Sequence, residues 1–218
     1  MIYSENIFMC IAIPIVVLLM FLKRESRRFY AAFLVGMAAC LLAAYVNSYF
    51  MVVLDATRIE CVRYISPIVE EVFKIIPIII IMLIYEPDDN NLFEYAVIMG
   101  VGFATFENCC YIIDNGAESL TFIGIRGFAV GVMHVVCALI DAAVIIVMRH
   151  FRSKMILGTI GAFSFAVTIH AIYNMLVSVK GGASMIGYFL PSSVALFLLV
   201  IVHFKRKFGT ENSNNSQN

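Results

Sequence analysis

The sequence predicts an all-α protein, a polytopic bundle of about seven transmembrane helices. Of its 218 residues, 62% are hydrophobic and only 14% are charged, where a typical soluble domain carries about 25% charged residues. Mean hydropathy is +0.94. Apolar runs recur along the whole chain between short polar clusters, and most approach the ~20 residues that a helix needs to cross about 30 Å of hydrocarbon.

The first run, residues 7–22, is short. Glu5 precedes it and a basic cluster follows it, the reverse of a secretory signal peptide. The second run, 29–54, is long enough to tilt or to begin with an interfacial turn. The third, 66–85, reads "SPIVEEVFKIIPIIIIMLIY". It begins like a helix start, with Ser66 as N-cap, Pro67 in the first turn, and Glu70 and Glu71 set against the helix dipole. Pro77 removes one backbone bond and should loosen it. The fourth run is 93–113. The fifth, 121–148, contains "GFAVG" from Gly127 to Gly131, a small-residue pattern suited to close helix packing. Runs 155–179 and 185–204 complete the membrane-embedded domain, residues 1–204. Residues 205–218 form a polar tail expected to be disordered. The six cysteines lie mostly inside apolar runs without paired spacing, as buried small hydrophobes do. No basic patch is interleaved with exposed aromatics, so a nucleic-acid partner has no support.

Alternate connections carry unequal numbers of basic residues. One side holds Lys23, Arg24, Arg27, Arg28, Arg149, Arg152, Lys154, Lys205, Arg206 and Lys207, and the other holds Arg58, Arg63, Arg126 and Lys180. By the positive-inside rule the N-terminus is outside and the C-terminus cytoplasmic.

The ionisable residues within the runs suggest function. Three such groups in the third run, Glu70, Glu71 and Lys74, would cost roughly 2.5–3.5 kcal/mol each at a helix centre, about cancelling the gain from its aliphatic residues. Neighbouring runs supply polar partners: Glu107, His134, Asp141, His170 and Asn174. Counted from the cytoplasmic end of their own runs, Glu71, Glu107, His134 and His170 each lie 14 or 15 residues deep. At 1.5 Å per residue that is about 21 Å, one level in the outer half of the bilayer. Lys74 can reach either glutamate along its helix. Tyr111 stands one turn from Glu107, and Asn174 stands one turn from His170 to orient its ring or a substrate carbonyl. Asp141, two turns beyond His134, sits deeper as a supporting group.

Two carboxylates and two imidazoles around a water suit amide hydrolysis, with Glu70 or Glu71 as general base. With zinc present, Glu107, His134 and His170 are the candidate ligands; without metal, the imidazoles would stabilise the oxyanion. HExxH and GxSxG are absent.

The segments "EEVFK", "GFATFENCCY", "MH" and "HAIYN" resemble, in order and placement, the four motifs of the PrsW-type intramembrane proteases, relatives of the CAAX prenyl endopeptidases and bacteriocin-processing enzymes. Asn174 stands where the PrsW-type motif has Asp. The resemblance implies an intramembrane endopeptidase of the bacterial plasma membrane. It further implies site-1 cleavage of a single-pass anti-sigma factor near the outer face, which activates an envelope-stress sigma factor. Two other classes fit an intramembrane Glu/His cluster: a proton- or cation-coupled transporter, and a non-catalytic immunity or binding protein on the same scaffold.

Overall fold

In the computed structural model, residues 4–115, 119–149, 151–179 and 181–215 are described, with backbone alone for 152, 198, 199 and 201–215. These residues are all-α, with no strand among them. The elements are α1 (Ser4–Phe21), α2 (Arg24–Val53), a short α3 (Arg58–Glu60) continued by a π-helical turn (Cys61–Ile65), α4 (Ser66–Tyr85), α5 (Asp89–Asn115), α6 (Leu120–Arg149), α7 (Met155–Val177) and α8 (Gly182–Asn215). A 3-10 turn, Arg152–Lys154, leads into α7.

Five helices, α1, α2, α5, α6 and α7, are long and apolar enough to cross a membrane. The chain is a multi-pass membrane protein. The other two expected spans correspond to α4, which carries Glu70, Glu71 and Lys74, and to α8, whose described apolar part is Gly182–Phe197. Helix α8 continues to Asn215, where the sequence suggested a disordered tail. Adding residues to a helix already nucleated costs far less than starting one.

Helix α5 packs between α2 and α6, α7 and α8 close on α6, and α4 sits against α2 and α7. Glycines set the closest approaches. A Cβ on Gly36 would fall 2.1 Å from the Met99 carbonyl oxygen, and one on Gly102 would fall 2.2 Å from that of Phe33. Helices α2 and α5 therefore cross backbone to backbone. Gly100 brings α5 against the backbone of His134 on α6. The "GFAVG" expectation is not met. A Cβ at Gly131 would meet nothing within 4 Å, and one at Gly127 only Asn108, at 3.8 Å. Close packing needs a backbone opposite, and these two glycines have none.

One apolar cluster, including Ile75, Ile78, Leu92, Ala96 and Ile145, fills the bundle on the Pro77 side of the charged turn. Two others, around Met133, Val136 and Ala166 and around Met37, Phe103 and Phe106, flank the level of the glutamates. At one end of the bundle Arg149 pairs with Asp89 and donates to the Pro87 carbonyl at 3.0 Å, tying α6 to the α4–α5 connection.

Gly36→Ala and Gly102→Ala should each lower stability by about 1–3 kcal/mol through overpacking, whereas Gly131→Ala should stay within about 0.5 kcal/mol. Unfolding in detergent micelles checks this. Equal losses at all three positions would contradict the packing described.

Candidate active site

The site begins with a local consequence of Pro67. Thr57 starts α3 with a capping box: its hydroxyl accepts from the Glu60 N–H at 3.3 Å, and Glu60 Oε2 accepts from the Thr57 N–H at 2.8 Å. The backbone and then the hydroxyl of Thr57 hold the exposed Glu60 carboxyl below the usual range. The helix then widens to π register before the proline, the Ser66 N–H donating to the Cys61 carbonyl. In that register the next bond would run from residue 67 to the Val62 carbonyl, but proline has no N–H. Asn174 on α7 fills the gap, its Nδ2 donating to the Val62 oxygen at 2.9 Å. Two corrections follow. Ser66 caps nothing, because helical residues precede it, so a free helix terminus does not account for Glu70 and Glu71. Asn174 bonds the backbone ahead of α4 rather than the His170 ring.

Behind that turn lies a buried hydrogen-bonded chain. Lys74 Nζ donates to Glu71 Oε1 at 2.6 Å, with side chains 1% and 0% exposed. It also meets His134 Nδ1 at 2.9 Å. Glu71 Oε1 is 2.5 Å from His170 Nδ1 as well. An ammonium can only donate, so His134 Nδ1 accepts and that ring carries its proton on Nε2. A carboxylate can only accept, so His170 is protonated on Nδ1 and its Nε2 holds a free lone pair. The imidazoles meet edge to face, centroids 5.3 Å apart. Phe103 covers this chain, 4.6 Å from the His134 ring and 5.2 Å from Lys74 Nζ.

The His170 ring borders a cavity of about 620 Å³, within the usual range of small-molecule sites, whereas His134 is enclosed behind it. Glu70, Glu107 and His170 are on its wall, and exposed Arg58, Asp114, Asn115 and Ser178 stand at its mouth. Glu70 Oε2 lies 3.7 Å from His170 Nε2, and its Oε1 has one long bond, 3.4 Å, from Asn47. Glu107 is held at both oxygens, by His134 Nε2 at 2.5 Å and by Arg126 at 3.3 Å.

The family described as PrsW family intramembrane metalloprotease matches residues 12–203, most of the chain. The chain belongs to the PrsW family. No curated protein and no solved structure matches it. As a PrsW-family member it is a peptidase embedded in the bilayer, acting on membrane-protein substrates.

The sequence-selected residues of this PrsW-family protease are distributed unevenly over the site. Glu70, Glu71, Lys74, Glu107, His134 and His170 come together. Tyr111 stacks its ring on Arg126, 3.5 Å from the guanidinium carbon. Asp141 is buried, and neither carboxylate oxygen has a hydrogen-bond partner among the described residues. Asn47 and Arg126 are contacts that sequence reasoning missed. Arg126, which enters the sequence reading only through the charge bias between the two sides, lies on α6 two helical turns before His134.

A metal fits the donors present. Glu70, His134 and His170 each offer an atom, all within 4.8 Å of one another, and two imidazoles with a carboxylate are a donor set of catalytic zinc sites. Glu107 shares the His134 Nε2 side of the cluster.

Removing Lys74 would strand a buried carboxylate and an imidazole. Lys74→Met should cost about 3–5 kcal/mol of stability, and adding Glu71→Gln should restore part of that. A Lys74→Met protein as stable in detergent as the unaltered one would contradict the buried chain.

Proposed function

We propose that this protease cuts a single-pass membrane protein at a peptide bond near the outer face of the bacterial plasma membrane. The anti-sigma factor implied by the motifs is its substrate class, and the cut would activate an envelope-stress sigma factor. The observation that carries this reading is the cavity, whose wall brings together the carboxylates of Glu70 and Glu107 and the imidazole of His170. The cavity mouth is at the end bearing Arg58 and Asp114, the side poor in basic residues, which supports an outer-face cut.

Glu71 is fully enclosed by Lys74 and His170, so it orients rather than reacts. Glu70 is on the wall and loosely held, which suits a group that must move a proton. In the proposed step, the oxygen of a water attacks the scissile carbonyl carbon while Glu70 takes a proton from it. The C–N bond then breaks, and Glu70 returns the proton to the leaving amine. His170 and Glu107, with His134 once its Nε2 gives up the proton it shares with Glu107, would hold a divalent metal, with zinc the expected ion; when bound it would supply Lewis-acid polarisation of the carbonyl and the water. Glu107 suits that role better than Glu70 because both its oxygens are already fixed. An ion or proton transporter finds less support, since Lys74 and Glu71 are locked to each other instead of lining a continuous path.

The test uses purified protein in liposomes with a single-pass substrate. Glu70→Gln should keep bound metal and lose roughly 10²–10⁴-fold in cleavage. Glu107→Gln and His170→Ala should lose both metal and cleavage. Undiminished proteolysis by Glu70→Gln would refute the base assignment.

A further inference from the structure

We infer that Arg126 is a positioning residue of the proteolytic site, fixing the plane and charge of Glu107 and, through it, the ring of His134. The inference rests on the assignment of Glu107 to the site made above.

Arg126 lies on α6, and its side chain is 13% exposed. One turn of α5 clamps its guanidinium from three directions. Nη2 donates to Glu107 Oε1 at 3.3 Å, Nη1 donates to Asn108 Oδ1, and the guanidinium carbon sits over the Tyr111 ring, 3.5 Å from its centroid. Asn108 is itself steadied by donating to the Gly127 carbonyl at 3.4 Å. The guanidinium is therefore preorganised before Glu107 is considered.

Glu107 has its other oxygen 2.5 Å from His134 Nε2. A carboxylate bonded at one oxygen still turns about its last torsion, whereas one bonded at both is fixed in plane. His134, with its Nδ1 on Lys74, brings no counter-charge of its own to Glu107. Arg126 is the cation that meets the Glu107 carboxylate among the ion pairs described. A lysine could supply charge, but neither the planar fork that reaches Glu107 and Asn108 together nor the stack on Tyr111. Arg126 also borders the cavity, so the alternative is that it binds substrate directly. The two roles separate in kinetics.

In liposomes with a single-pass substrate, Arg126→Met should lower kcat roughly 10- to 100-fold, the usual effect of losing a group that orients a site residue. KM should stay within about 3-fold, because Glu107 is not proposed to bind the ground-state substrate. Arg126→Lys should recover only part of the rate. A raised KM at unchanged kcat would overturn the proposal and make Arg126 a substrate-binding group. Full recovery by lysine would overturn the requirement for a fork. The pairing is also read without any cleavage, from the unfolding of Arg126→Met, Glu107→Gln and the double variant in detergent. Losses that fail to add support the pairing, and additive losses overturn it. Failure of the proteolysis reading looks different: the unaltered protein would not cleave, while the unfolding cycle would still decide whether Arg126 and Glu107 act together.

Discussion

A lysine ammonium and a glutamate carboxylate enclosed in apolar protein are the constraint around which the site is arranged. Moving either charge out of water costs several kcal/mol, and their attraction offsets that only when the remaining hydrogen-bonding capacity is filled. In this chain two histidines fill part of it, while Glu71 Oε2 has no hydrogen-bond partner among the described residues. Lys74 donates to His134 as well as to Glu71, and Glu71 accepts from His170 as well as from Lys74. Electrostatic necessity thus fixes two tautomers and two ring orientations at once. The enclosed glutamate serves geometry, which on the proposed reading leaves Glu70, one residue earlier and on the cavity wall, to carry the chemistry.

The fold delivers these groups to one place through features unrelated to catalysis. Gly36 and Gly102 let α2 and α5 cross backbone to backbone, and Gly100 sets α5 against α6 at His134. Glu107 and His134 therefore meet across a close helix pair. The π turn before α4 is the counterpart on the other side. Pro67 withholds a donor, Asn174 provides one, and α7, which carries His170, is pinned to the start of the helix that carries Glu70 and Glu71. A family motif residue thus has a definite structural task in this chain, one that asparagine can perform and an ionised aspartate could not.

The helical class and the shared depth of Glu71, Glu107, His134 and His170 were legible because hydropathy and rise per residue are one-dimensional quantities. The Thr57-x-x-Glu60 capping box is also written in the sequence, as a threonine followed three residues later by a glutamate. Other features depend on what stands opposite. "GFAVG" looks like a packing surface until the position facing Gly131 is seen to be empty, while Gly36 and Gly102, neither with a glycine four residues away, make the closest backbone contacts. Ser66-Pro67 reads as a helix start unless the residues before it are known to be helical. Arg126 lies inside the fifth run yet counts with the outer-side cations, and its pairing with Glu107 depends on which face of α6 meets α5. The division of labour between Glu70 and Glu71 depends on which side of α4 faces the cavity, and that is a property of the packed bundle.

The central claim is that the Lys74–Glu71 pair fixes the two imidazoles in opposite tautomers. Nitrogen NMR of the metal-stripped protein in detergent, with histidines selectively labelled, reads this directly. The account predicts His134 protonated on Nε2 and His170 on Nδ1, with the His134 assignment lost in Lys74→Met. The reverse tautomers, or rings exchanging between the two forms in the unaltered protein, would contradict it.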